Sequence, residues 1–271
     1  MSSRTAKSRV GRRSARLGVG LILPVVLIIV WQLVKSTGML SYQDIPAPST
    51  IWSATVAMAD SGELSGNVEH TLAACLGGWA LGSVVGLLLG LLLGLSQRAF
   101  TYSMASVDVL RAIPAIAFVP VAVIVFAQTL QMEIVIAAWV SVWPVAISTI
   151  DGVRGVSSVH QDLARSLRLS AVQRTVKFAL PTAMPKILVA LRLSLSAALV
   201  LAIVAEIVGN PDGIGYALVQ EQQSLRPDAM FSYILITGLL GLILNFVLTW
   251  VLEHFVPGGR SLGNGDRHDD Q

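Results

Sequence analysis

Long apolar runs, rather than alternating polar and apolar positions, dominate the chain. Uncharged stretches extend from Leu17 to Val34, Thr71 to Gln97, Ala112 to Met132, Ile134 to Ile150 and Ala229 to Leu252. A further run, Ile187 to Val208, carries Arg192 near its start and Glu206 near its end. A helix needs roughly 20 apolar residues to cross about 30 Å of hydrocarbon, so the pattern predicts an all-α polytopic membrane protein with about six transmembrane helices. The third and fourth runs are divided by Glu133 with Gln128 and Gln131, because a charge is costly inside the bilayer; this predicts a hairpin with Glu133 in its loop. The first run meets Trp31, Gln32 and Lys35 instead of a small-residue cleavage site, so it reads as a retained anchor.

Composition sharpens this picture. The 271 residues are 54% hydrophobic and 13% charged, against about 25% charged in a soluble domain, and the mean hydropathy is +0.71. Half the usual charge cannot cover a water-facing globule. With six spans, 17 of the 19 Lys and Arg residues fall on the side shared by both termini, and only Lys35 and Arg226 lie opposite. Positive charge stays in the cytoplasm, which predicts a multi-pass membrane protein with both termini cytoplasmic. The chain divides into a basic arm (1–16), a transmembrane domain (17–256) and a polar tail (257–271). The net charge of +3 follows from topology, with anionic lipid as the arm's partner and no nucleic acid required.

Within the spans, Gly78, Gly82, Gly86, Gly90 and Gly94 recur at every fourth position and form a ridge without side chains. Such a ridge admits a close helix contact, and the same surface would serve a sliding interface. Pro114 and Pro120 in the third run predict a bend that suits a pathway or a hinge. Ser194, Ala198, Ala202 and Glu206 share one narrow face of the fifth span, so Glu206 reads either as an interfacial carboxylate or as a gate or dimer contact. The segment 151–186 is too long for a turn and reads as amphipathic helices, suited to lipid or to a soluble partner. His70, His160, His254 and His268 fall in predicted loops or span ends, no buried carboxylate pair is expected in the spans, and no metal site is predicted. The single Cys75 excludes an intramolecular disulfide.

The stretch Asp162-Leu163-Ala164-Arg165-Ser166-Leu167-Arg168-Leu169-Ser170, followed by Leu180-Pro181-Thr182-Ala183-Met184-Pro185-Lys186-Ile187 and Leu191-Arg192, resembles the EAA loop of binding-protein-dependent ABC importer permeases. Pro46-Ala47-Pro48-Ser49, Leu110-Arg111-Ala112-Ile113-Pro114, Ala205-Glu206-Ile207 and Gly213-Ile214-Gly215-Tyr216 are similar to its nitrate, sulfonate and taurine branch. The resemblance implies a type I ABC importer permease fold with a cytoplasmic coupling helix seated on an ATPase subunit. It also implies a second permease copy as a homodimer partner and an extracytoplasmic solute-binding protein. The cargo would be a small anion such as a sulfonate, taurine or nitrate; a pyrimidine precursor or similar solute is the alternative, and a passive channel a more distant one. The chain lacks a Gly-Lys dipeptide and hence a Walker A loop, so it is expected to be no enzyme and to bind no cofactor, with ATP and Mg held by the partner. Two positions depart from the family pattern: Asp162 replaces its Glu and Arg168 its Gly.

Overall fold

A computed structural model describes residues 22–38, 44–156, 166–167 and 169–255. The helices are α1 (Ile22–Ser36), α2 (Pro48–Asp60), α3 (Glu63–Leu95), α4 (Gln97–Ala112), α5 (Val119–Phe126), α6 (Leu130–Arg154), α7 (Leu180–Gly209), α8 (Gly213–Gln223) and α9 (Pro227–Phe255). A 3-10 turn, Ala115–Phe118, leads into α5, and a π-helical turn, Thr175–Ala179, leads into α7. Among the described residues there is no strand. Among the described residues, four helices are long and apolar enough to cross a membrane, α3, α6, α7 with its preceding turn, and α9, and the bent pair of α4 with Ala115–Phe126 would make a fifth. The basic arm, the polar tail, Asp162, Leu163, Ala164, Arg165, Arg168, His160 and His268 lie outside the described residues.

The bend expected in the third span lies at Pro114, while Pro120 makes none. The run is not one kinked helix, because α4 and the segment Ala115–Phe126 meet at 80°. Ile113 is extended, with φ −71° and ψ 123°, as the residue before a proline prefers, and α4 stops there. Pro120 does not interrupt a helix either. It occupies the first turn of α5, where the missing N–H has no intrahelical acceptor to lose. The segment from Ala115 to Phe126 is roughly 18 Å long at 1.5 Å per residue, short of a bilayer's hydrocarbon. Its anchor is apolar: Val119 and Ala122 are buried against Met132, Ile136 and Ala205, and Phe118 stacks on Trp139 with ring centroids 4.9 Å apart.

The glycine ridge of α3 lies along α6, and this pair shares the most extensive interface in the chain. A Cβ added at Gly86 would stand 2.5 Å from the Val142 carbonyl oxygen, and one at Gly90 would stand 2.5 Å from the Thr149 Cβ. At Gly78 and Gly82 the obstacles are the Ala137 Cβ and the Ala138 carbonyl oxygen, closer still, whereas at Gly94 the nearest atom is the Val153 Cβ at 3.1 Å. The two backbones therefore approach closely over most of the membrane's thickness, the arrangement by which helices associate in lipid through packing alone. The small face of α7 joins the same core: Ser194, Ala198 and Ala202 are fully buried, and Trp79 of α3 donates its indole N–H to the Leu191 carbonyl at 3.0 Å.

The last span is pinned to α3 by a polar bridge. The Tyr233 hydroxyl donates to Glu63 Oε1 at 3.1 Å and accepts from Asn67 Nδ2 at 3.0 Å, and the residue is fully buried. Removing the hydroxyl leaves shape intact but breaks both bonds. Tyr233→Phe is expected to lose about 1–2 kcal/mol of stability, read as a lowered thermal midpoint in detergent; an unchanged midpoint would show that the bridge contributes nothing.

Candidate functional site

Where α3, α6, α7 and α8 come together at one end of the bundle, a buried polar cluster replaces the apolar core. α3 supplies His70 and Thr71, the first turn of α6 supplies Glu133, and the last turn of α7 supplies Glu206, followed by Asn210. Glu133, Glu206 and Thr71 are fully buried and Asn210 is 4% exposed. Burying a carboxylate is expensive unless hydrogen bonds or an opposite charge compensate, so each partner here has an energetic reason.

Glu206 has its compensation from the start of α8. Its Oε2 accepts from the Gly215 N–H at 2.7 Å, and its Oε1 accepts from the Thr71 hydroxyl at 2.7 Å. Thr71 Oγ1 in turn accepts from the Ile214 N–H at 3.0 Å. The second and third N–H groups of α8 would otherwise be orphaned, and the Asp212 side chain at its N-cap position makes no capping bond. Glu206 and Thr71, from two other helices, perform that capping. The positive end of the α8 dipole favours the carboxylate as well.

The Gly-Ile-Gly sequence follows from this geometry. Gly213 has φ +91°, a backbone conformation natural to glycine, and a Cβ there would collide with the Glu206 carboxylate. A Cβ at Gly215 would collide with the Ile203 carbonyl oxygen. The two sequence fragments Ala205-Glu206-Ile207 and Gly213-Ile214-Gly215 are thus two halves of one cap. Thr71→Val, which keeps the shape and removes the hydroxyl, leaves the Ile214 N–H without an acceptor and Glu206 without a donor. A cost of about 1–3 kcal/mol is expected, measured as a lowered thermal midpoint with Thr71→Ser restoring most of it.

Glu133 is paired differently. His70 Nε2 lies 3.0 Å from Glu133 Oε2 and 3.2 Å from Oε1, and Asn210 Nδ2 donates to Glu133 Oε1. The hairpin-loop placement of Glu133 is therefore corrected: the residue is the fourth of α6 and lies wholly inside the bundle. The expectation that no buried carboxylate pair exists is corrected with it, since Glu133 and Glu206 form one beside His70. The signal available in the sequence was an ionisable residue at the edge of an apolar run, which marks a site by default. Outside the spans, burial raises the Glu221 carboxyl above its usual range, and the Arg226 guanidinium partly offsets this.

The other candidate residues are not gathered here. Pro114 and Pro120 are exposed. Of the coupling segment, Ser166, Leu167, Leu169 and Ser170 are described, and Leu167 is exposed. Ser170 opens the next helical turn as a capping box: its Oγ accepts from the Gln173 N–H at 3.3 Å, and Gln173 Oε1 accepts from the Ser170 N–H at 3.0 Å.

These features define a polytopic, all-helical membrane protein built on a glycine-seamed pair of spans, with a capped polar cluster at one end. The chain belongs to the family of binding-protein-dependent transport system inner membrane components, whose family model matches residues 82–261. It is 32% identical over 240 residues to the putative aliphatic sulfonates transport permease protein SsuC of Bacillus subtilis (strain 168), covering 89% of this chain and 87% of that protein. It is 28% identical over 249 residues to the bicarbonate transport system permease protein CmpB of Synechococcus elongatus, covering 86% and 88%. In fold it is similar to the inward-facing MetNI methionine ABC transporter, with a TM-score of 0.62 at 20% identity over 70% of this chain and 94% of that one. The chain is thus a permease subunit of an ABC importer in the inner membrane. It is not itself an enzyme, and ATP hydrolysis lies in a partner subunit.

Proposed function

We propose that the chain forms the translocation path for a small oxyanion, an aliphatic sulfonate before others, as one half of a homodimer served by two ATPase subunits and an extracytoplasmic solute-binding protein. The observation that carries this reading is the 32% identity along 89% of the chain to a permease named for aliphatic sulfonates. The bicarbonate relative supports the broader class, since sulfonate and bicarbonate are both singly charged anions that present oxygen acceptors. Charge distribution supports cytoplasmic termini; with that orientation the polar cluster would face outward and the coupling segment would face the ATPases. ATP-driven closure of the ATPases would draw the two coupling segments together and turn the cavity outward.

The test is ATPase activity of the reconstituted complex in liposomes, with binding protein loaded in turn with an alkanesulfonate, taurine, nitrate, bicarbonate or a pyrimidine precursor. Stimulation by the alkanesulfonate-loaded protein is expected. Stimulation by a different solute alone would overturn the substrate, and failure of any ATPase to associate would overturn the importer reading in favour of a passive channel. In the same preparation Arg168→Gly, which restores the family residue, is expected to leave ATPase association unchanged; loss of the complex would make Arg168 a required contact.

A further inference from the structure

We propose that His70, Glu133, Glu206 and Asn210 form a binding site for one divalent first-row metal ion, with Zn2+ the best fit, that ties α3, α6 and α7 together at this end of the bundle. The ligand atoms are already assembled: one nitrogen of His70 and one carboxylate oxygen each of Glu133 and Glu206 lie within 4.8 Å of one another. Around a tetrahedral zinc with ligands at about 2.0–2.2 Å, donor atoms stand roughly 3.4 Å apart. The His70 to Glu133 separation of 3.0 Å is already inside that distance.

Two further observations point to a cation. The first is charge. Two buried carboxylates face one imidazole, and Asp212 adds its field at Glu133. Among the described residues no Lys or Arg forms an ion pair with Glu133 or Glu206. The second is an orphaned ligand atom. Asn210 Oδ1 is buried without a hydrogen-bond partner, while the Nδ2 of the same amide donates to Glu133 Oε1 and lies 3.1 Å from His70 Nε2.

Without an ion, Glu133 is served by two donors, His70 Nε2–H at Oε2 and Asn210 Nδ2–H at Oε1, while Asn210 Oδ1 has no partner. Turning the amide over brings Oδ1 into the cluster, where it meets carboxylate lone pairs. A positive centre there converts that repulsion into bonds, with Oδ1 as the fourth donor. The hydrogen bonds from Thr71 and Gly215 to Glu206 then do what outer partners of a metal carboxylate do, fixing the ligand's orientation. Imidazole with carboxylate and amide oxygens, without thiolate, suits Zn2+ among the available metals and admits Mn2+. The His70 side chain is 19% exposed, which gives the ion a way in.

The experiment uses the full permease–ATPase complex, purified without a histidine tag, stripped with a chelator and titrated with ZnCl2, and in parallel with MnCl2. Bound metal is measured by mass spectrometry and the thermal midpoint of the permease by size exclusion. The expected result is one Zn2+ per permease chain, a raised midpoint, and loss of both in His70→Gln and Glu133→Gln. Absence of saturable binding of either metal overturns the proposal, leaving protons to balance the carboxylates. Retention of full stoichiometry in both variants also overturns it. Should the variants fail to fold, X-ray absorption of the wild-type zinc complex decides: one nitrogen with oxygens supports the site, and any sulfur or an all-oxygen shell refutes it. None of these readouts depends on which solute is transported.

Discussion

Gly82→Leu is expected to abolish the folded permease. A Cβ at this position would collide with the Ala138 carbonyl oxygen and stand 2.7 Å from the Ser141 Cβ, so the obstacle includes backbone that cannot rotate aside. Overpacking a well-filled core costs about 1–3 kcal/mol where side chains can shift, and here the α3 and α6 backbones must separate. In lipid, separation forfeits the close packing that drives their association, with no hydrophobic effect to offset it. The measurement is the monodisperse size-exclusion peak of the detergent-solubilised protein, which should vanish for Gly82→Leu. Gly66→Ala serves as the control, because nothing lies within 4 Å of its added Cβ and alanine is favoured over glycine in a helix by about 0.5–1 kcal/mol; its midpoint should rise or stay. A normal peak for Gly82→Leu would mean that the ridge does not hold α3 against α6.

The sequence periodicity located that ridge because it is a local property: a residue every fourth position identifies a face, and the absence of side chains identifies what the face can do. The spans were legible for the same reason, since apolar length is read along the chain. Pro114 marks the bend that the sequence predicts, but Pro120 does not, because a proline has two opposite meanings. Inside a helix it removes a bond, at the start of one it costs nothing, and whether Pro120 starts a helix depends on Ile113 and Pro114 having ended the previous one. The short helices α2 and α8 carry no span-length signal at all. Pro48 in the first turn of α2 was the local cue for one of them.

The polar cluster was legible only in pieces. Glu133 was assigned to a loop by a sound rule, that a charge avoids the membrane interior, but its partners His70 and Asn210 are 63 and 77 residues away. Nothing in the neighbourhood of Glu133 announces them. Likewise Glu206 and Gly215 are only 9 residues apart, yet the turn between them had to be known before the carboxylate could be seen capping the next helix. The buried carboxylate pair that a membrane enzyme would need is present, and the family of the chain assigns it to a permease instead. A buried pair of acids is therefore a statement about energetics first, and about catalysis only when a substrate can reach it.

Glu206→Ala is expected to have the largest effect of any change in this cluster, and Glu206→Gln a smaller one. The carboxylate accepts from Thr71 Oγ1 and the Gly215 N–H, both inside the bundle. Alanine strands both donors at about 1–3 kcal/mol each and opens a cavity between α7 and α8. Glutamine fills the space and keeps one acceptor, but its amide N–H2 confronts the remaining donor, so roughly one of the two penalties stays. The loss of negative charge at the start of α8 removes a further few tenths to 1 kcal/mol in both variants. The predicted order of thermal midpoints is wild type, then Gln, then Ala, with the Ala variant failing to yield a stable complex. If Glu206 is a gate rather than a cap, the order inverts in its consequence: both variants keep their midpoints while substrate-stimulated ATPase activity is lost. A carboxylate is a poor direct ligand for an anionic cargo, so wild-type midpoints together with wild-type transport in both variants would remove Glu206 from either role.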